Sequence, residues 1–318
     1  SSRWQESYQQ IRQQLLVIFG LSLTLALLLA FVIARSITRP LQLLSSFASQ
    51  IGQGVTTADL PQAKGEIGLL GSTLQKMQLD IRSREAELLY HFRKHGAQSV
   101  AYDSIVAAGA NACVLHHRAG NAVMQDGDLV LIDAGCELDG YASDITRTFP
   151  TNGKFSGPQR ALYEIVLAAQ QAAYEKTSPR YHFNAGHDAA VQVLTQGLLD
   201  EGLLQGTLAQ AIETVSYRQF YMHRTGHWLG MDVHDVGSYR SLTVSAEERP
   251  WRQLQAGMVL TIEPGLYVRP APDVAEKFWG IGIRIEDDAV VTETGCEFIT
   301  RGVPVAADEI EAVMRARE

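Results

Sequence analysis

The sequence predicts an α+β domain from about residue 89 onward, preceded by a transmembrane helix and a helical coiled-coil module. Three observations predict it. Leu15 to Ala34 contains no charged residue and lies between Arg12 and Arg35. Between Ile37 and Leu88, seam positions recur at alternating spacings of three and four. Beyond Leu89 the pattern changes to short apolar runs alternating with helical ones.

Residues 1–14 are polar, begin with Ser and read as the tail of something longer. Residues 15–34 are apolar on every face. About twenty such residues at ~1.5 Å rise cross a ~30 Å hydrocarbon core, and a signal peptide would have a shorter apolar region. Arg3 and Arg12 on one side balance Arg35 and Arg39 on the other, so charge leaves the orientation open. Residues 35–88 follow. Ile37, Leu41, Leu44, Ala48 and Ile51 form one seam, and Gly52, Gly54 and Pro61 break it. Ile67, Leu70, Leu74, Met77, Ile81, Arg84 and Leu88 form a second, with Arg84 its polar intruder. Two seams joined by a Gly/Pro connector, with Arg39-Pro40-Leu41 and Gly65-Glu66-Ile67-Gly68-Leu69, resemble a HAMP linker of bacterial sensor proteins. Gln75-Lys76-Met77 departs from the usual Asn before Met. The resemblance implies a cytoplasmic linker, a periplasmic tail at 1–14, an inner (cytoplasmic) membrane location and a homo-oligomer. If the N-terminal segment is foreign to the rest of the chain, the location is cytoplasmic.

In the remainder, Ala101 to Ala108 reads as a strand. Ser156-Gly157-Pro158-Gln159 caps a helix from about Arg160 to Lys176, and a second helix covers about Ala185 to Asp200. His182 and His187 near its start read as solvated. The polar stretch from Ser238 to Ala256 is either a pocket rim or a plain surface loop. The net charge of −8 argues against nucleic acid as a partner. Residues 1–90 carry 8 Lys+Arg and 6 Asp+Glu, net +2, which leaves −10 for the rest. Cys113, Cys136 and Cys296 are widely spaced, which suits a reducing compartment and small buried side chains rather than disulfides.

The chemistry is concentrated in four segments. In Asp126 to Phe149, the apolar run Leu129 to Ile132 is a buried strand, and Gly135 and Gly140 bracket a turn. With Leu138 and Asp139 at a hairpin tip, Asp133 and Asp144 fall opposite one another. Like charges so placed destabilise a sheet unless a cation sits between them. If the register slips instead, both are solvated turn residues. Met222 to Asp235 places His223, His227 and His234 in one Gly-punctuated stretch, and Val259 to Gly265 is a strand ending in Glu263 and a turn. In Gly280 to Glu286 the isoleucines alternate, which puts Gly282, Arg284 and Glu286 on one face. Two aspartates, two glutamates and a histidine suit two divalent ions, and carboxylate-rich ligation favours Mn²⁺ over structural zinc.

From about Leu89 the sequence resembles the catalytic domain of aminopeptidase P, a pita-bread metallopeptidase. The motifs that carry the resemblance are Ile-Asp-Ala-Gly, Ser-Asp-Ile-Thr-Arg-Thr-Phe, His-Trp-Leu-Gly-Met-Asp-Val-His-Asp, Ile-Glu-Pro-Gly-Leu-Tyr and Gly-Ile-Gly-Ile-Arg-Ile-Glu-Asp. It implies metal ligation by Asp133, Asp144, His227, Glu263 and Glu286, with Asp144 and Glu286 bridging. It also implies auxiliary roles for His116, His223 and His234. Glu263 reads as proton shuttle and Arg284 as the residue that orients carboxylates. The implied substrate is a peptide with proline second, cleaved at the Xaa-Pro bond. A prolidase acting on dipeptides, or an inactive binding domain serving HAMP signalling, are the alternatives. Arg224-Thr225-Gly226 departs from the family's Gly-Leu-Ser or Gly-Leu-Gly, a change that bears on the substrate pocket. Residues 89–318 lack the family's usual N-terminal domain and first helix, which implies reduced stability.

Overall fold

The structure is a computed structural model that describes residues 19–24, 28, 31, 35, 87–118, 123–241 and 249–316. The chain divides into two units, Ser1–Ser83 and Arg84–Glu318. In the first, residues 19–24 are helical. The transmembrane reading of 15–34 falls largely outside the described residues, and among those described no helix is long and apolar enough to cross a membrane. The two seams also lie outside the described residues, except that Leu88 belongs to a helical stretch at 87–94.

The second unit begins its sheets with β1 (Ser99–Val100) and β2 (Ile105–Ala108), then β3 (Leu129–Ala134), β4 (Cys136–Leu138), β5 (Tyr141–Ala142) and β6 (Ile145–Pro150). The strand expected over 101–108 is only half that length, because residues 101–102 bend and Ala101 N–H donates to the Gly135 carbonyl at 3.0 Å. β3 is the centre of an antiparallel sheet ordered β2-β3-β6, and β4 the centre of one ordered β1-β4-β5. The hairpin tip is Asp139-Gly140, both at positive φ (52° and 79°), and not Leu138-Asp139. This corrects the register. Asp133 pairs with Thr146, so Asp144 is its diagonal neighbour two residues along. A shift of two keeps both aspartates on one face, whereas a shift of one would have turned one of them away.

Two helices follow, α1 (Gly157–Glu175) and α2 (Ala185–Asp200). α1 starts three residues earlier than expected. Ser156 and Gln159 form a reciprocal capping box, and Pro158 sits where its missing N–H costs nothing. α2 has the predicted bounds. The apolar faces of both helices, including Leu162, Val166, Leu194 and Leu198, are buried in one core with Ile262, Leu266, Ile283 and Ile285. Ile262, Leu266 and Ile283 belong to the second group of strands: β7 (Val259–Ile262), β8 (Gly265–Val268), β9 (Ile281–Arg284), β10 (Asp287–Val291) and β11 (Cys296–Phe298). Ile285 lies between β9 and β10. A short α3 (Leu208–Glu213) and a final α4 (Ala307–Arg315) complete the unit. The two strand groups meet at a bridge between Thr146 and Glu286. Cys113, Cys136 and Cys296 are free, and only Cys113 is fully buried.

Gly135 separates β3 from β4 at a point where a Cβ would lie 1.7 Å from the Ser143 carbonyl oxygen. Backbone must move to admit any side chain. Gly135→Ala is expected to destabilise the unit by roughly 1–3 kcal/mol or more, measured as a lowered denaturation midpoint, and an unchanged midpoint contradicts the packing described.

Candidate active site

Strand alternation and turns deliver the charged groups to one place. Asp133 comes from the end of β3, Asp144 from the residue before β6, Glu263 from the residue after β7, and Glu286 from the link between β9 and β10. His227 is held beside β7, where Thr261 N–H donates to its carbonyl at 3.0 Å. All five open on one cavity of about 450 Å³, and His116, His223, His234 and Arg284 line the same cavity. Every site residue expected from the sequence is therefore gathered in it. Asp133, Asp144, Glu286 and Arg284 are buried at 7%, 5%, 2% and 4% exposure, so these carboxylates face each other with little water.

The geometry fits a divalent cation. Ligand atoms of Asp144, His227 and Glu286 all lie within 4.8 Å of one another. His227 Nδ1 is 3.0 Å from the Trp228 carbonyl, to which it donates. That leaves Nε2 unprotonated in the neutral ring and aimed at Asp144 Oδ2 (3.5 Å) and Glu263 Oε1 (3.9 Å), the arrangement of a metal-binding imidazole. Burial lifts the Glu263 carboxyl to about 7, against the pull of His227 and Arg284. Burial, with Asp144 and Glu263 nearby, also holds Glu286 well above the carboxylate range. Asp133 is likewise raised by burial, opposed by Arg284. Carboxyls so raised are short of positive charge.

Arg284 supplies one such charge. It pairs with Asp133 and lies 3.9 Å from Glu286, and its Nε donates to the Thr146 hydroxyl at 3.1 Å. Thr146 in turn donates to Glu286 Oε2 at 2.6 Å. His223 is fixed at both nitrogens, Nδ1 donating to the Arg224 carbonyl at 2.7 Å and Nε2 accepting from the Tyr267 hydroxyl at 2.8 Å. Burial, helped by the Arg284 charge, depresses its pKa to about 3, so the ring is neutral. His116 and His234 are exposed on the cavity wall, His234 edge-on to His227 with ring centres 4.3 Å apart.

A model for metallopeptidase family M24 matches residues 71–293. The chain belongs to metallopeptidase family M24. A HAMP domain model matches residues 32–83, so the two matches overlap upstream of the residue-89 boundary drawn from sequence texture. A Xaa-Pro aminopeptidase of Haemophilus influenzae is 47% identical over 260 residues, 80% of this chain and 59% of that protein. One from Escherichia coli is 47% identical over 232 residues, 73% of this chain and 51% of its own length. The solved aminopeptidase PepP of Pseudomonas aeruginosa superposes with a TM-score of 0.71 at 56% identity, covering 74% of this chain and 52% of that one. This M24 chain thus has the pita-bread fold and spans a little over half the length of the curated relatives it matches.

Three residues around the M24 site were not legible in the sequence. The Tyr102 hydroxyl lies 2.5 Å from both Asp133 Oδ1 and Asp144 Oδ1, with one proton to donate between them. Gln170 of α1 sends its side-chain amide to the carbonyls of Ile262 (3.1 Å) and Ile285 (3.3 Å), the residues preceding Glu263 and Glu286. His187, expected to be solvated, instead packs behind the cavity with Nδ1 2.9 Å from the Thr225 hydroxyl, and burial lowers its pKa to about 4. The only available signal was Tyr102's place just before a strand leading to the site. Of the stretch 238–256, the described residues Tyr239 and Trp251 line the cavity, which makes those parts rim rather than plain surface.

A carboxyl raised by folding contributes stability that is present below its unfolded pKa and is lost as pH rises through its folded pKa. For Glu263 that window runs from the ordinary 4.5 to about 7. Without divalent ions the unit should lose stability across this window. Cations bind the ionised carboxylates, so the rise in melting temperature on adding Mn²⁺ should grow over the same range. Calorimetry showing a pH-independent rise contradicts this.

Proposed function

We propose that the chain is a dinuclear-metal hydrolase that removes the N-terminal residue from peptides with proline in second position. The observation that carries the reading is the single cavity that collects Asp133, Asp144, His227, Glu263 and Glu286 with His116, His223, His234 and Arg284. Relatives 47% identical over most of this region are Xaa-Pro aminopeptidases, which supports the substrate class. Asp144 and Glu286 would be shared between two ions, with Asp133 completing one and His227 and Glu263 the other. The oxygen-rich donor set with one imidazole favours Mn²⁺. Bound divalent ions supply Lewis acidity and lower the pKa of water.

The chain's own groups do the rest. Glu263, at the end of β7 and open to the cavity, is suited to take a proton from the attacking water and return it to the departing proline nitrogen. His116 and His234 stand where they can donate hydrogen bonds to the peptide carbonyl. His223 has both nitrogens committed, so it shapes the wall as a neutral ring, and donation to substrate requires exchanging one of those bonds. Arg284 keeps Asp133 and Glu286 oriented.

We further propose that residues 15–34 tether the enzyme to the inner membrane, with residues 35–88 as a HAMP-like linker and the catalytic unit in the cytoplasm. Its seams bury their apolar positions only in a parallel dimer. Detergent-solubilised protein should be at least dimeric, and charged residues at Leu44 and Leu74 should weaken it. A monomer on light scattering overturns the linker reading.

With Mn²⁺, Xaa-Pro-Yaa tripeptides should be cleaved faster than Xaa-Pro dipeptides, and chelation should stop both. Glu286→Ala should abolish activity and the binding of both ions, whereas His227→Ala should mainly weaken one. Dipeptide preference would move the reading to a prolidase. Two ions still present in Glu286→Ala by metal analysis would overturn the ligand assignment.

A further inference from the structure

We infer that Arg224, laid against the ring of Trp251 in the cavity wall, is a subsite for a carboxylate on the leaving side of the substrate. The inference rests on the aminopeptidase reading above and adds to it a feature of this chain's own sequence, the Arg-Thr-Gly between His223 and His227.

The first observation is position. Arg224 and Trp251 line the same cavity as the carboxylates, together with Tyr239 and Phe183. The Arg224 guanidinium lies 4.8 Å from the Trp251 ring centre, and that of Arg240 lies 3.5 Å from the same centre. Two cations thus share one aromatic ring at the rim.

The second is that, among the described residues, no carboxylate touches either guanidinium, although Asp188 acts on Arg224 from further off. Among the described residues neither Arg224 nor Arg240 forms an ion pair. Arg240 commits Nη1 to the Arg249 carbonyl at 3.1 Å. The Arg224 side chain has no hydrogen-bond acceptor among the described residues, and only its carbonyl is used, by His223. A guanidinium presents five donors in a planar fork that matches a carboxylate, and the ring behind Arg224 holds that fork without consuming it.

The third is rigidity. Next to Arg224, the buried Thr225 hydroxyl is held by Tyr221 at 2.6 Å and His187 at 2.9 Å, and Glu263 N–H donates to the Thr225 carbonyl at 2.9 Å. The stem of Arg224 therefore starts from backbone tied on both sides. Preorganised donors lose less on binding than mobile ones.

The cavity is polarised as a result, with acidic groups at its floor and cations at its aromatic rim. A peptide whose ammonium faces the floor presents its leaving portion to the rim. The carboxylate reaching Arg224 has two sources, the free C-terminus of a short peptide or an acidic side chain just after proline.

The test is calorimetric binding of leaving-group dipeptides to the full chain with Mn²⁺. Pro-Gly should bind roughly tenfold tighter than Pro-Gly amide, as one charge-assisted pair at a partly exposed site implies. Arg224→Gln should bring the two within about twofold, and Arg224→Lys, a point charge without the fork, should fall between. Pro-Glu amide against Pro-Gln amide reports the side-chain source in the same way. Raising ionic strength should shrink the wild-type preference, which tests the inference even where a variant fails to fold. No wild-type preference for the acid in either pair, or an undiminished one in Arg224→Gln, overturns the subsite. Tripeptide hydrolysis on the same preparations separates the two readings, since retained acid preference without turnover overturns the activity and leaves the subsite standing.

Discussion

The crowding of buried carboxylates is the constraint to which the surroundings of the site answer. Asp133, Asp144 and Glu286 are nearly inaccessible to water, with Glu263 beside them. Left alone, such groups repel and give up their charge by binding protons. The neighbouring residues limit this. Arg284 reaches Asp133 from one side, Tyr102 lies against both aspartates from another, and Thr146 holds an oxygen of Glu286. Between them they engage both oxygens of Asp133 and one oxygen each of Asp144 and Glu286, and Asp144 Oδ2 and Glu286 Oε1 take no hydrogen bond from them.

Further out, the same problem is met by tying down the backbone. Arg147 donates to the Glu286 carbonyl at 2.6 Å and pairs with the fully buried Asp287 at 2.8 Å. Gln170 crosses from α1 to the carbonyls before both glutamates and to the Asp287 carboxylate, so the helix layer is hydrogen-bonded to the ligand-bearing strands. Repulsion among the carboxylates can then spread the site only by breaking buried hydrogen bonds, each of which is costly to leave unmade.

What could be read in advance was set by strict periodicity. The alternation through Gly280 to Glu286 places Arg284 and Glu286 on one face, and the structure puts both on the cavity. The aspartate pair was legible as a pair on one face, yet its register was misplaced by two. Glycines flag a turn, whereas the choice of Asp139-Gly140 as its tip depends on which residues adopt positive φ. Tyr102 and Gln170 were not legible because their roles are long-range. A tyrosine 31 residues from Asp133 and a glutamine 92 residues from Ile262 leave no local pattern. His187 misled for a related reason. At a helix start it looks like a solvated residue, and only the packing of Thr225 against it shows otherwise.

The Thr146–Glu286 bridge and the Arg284–Asp133 pair join positions 140 and 151 residues apart. During synthesis the aspartate hairpin is made long before its partners. At ~5–20 residues per second, Glu286 follows Asp133 by roughly eight to thirty seconds. In that interval the nascent chain carries two adjacent aspartates with neither the arginine that neutralises one nor the glutamates that complete the set. The hairpin cannot close into a finished cation site on its own, because His227, Glu263 and Glu286 all follow it in the chain. It also puts the strands bearing Glu263 and Glu286 among the last pieces to settle, which makes them the step at which a slow or misdirected fold would show first.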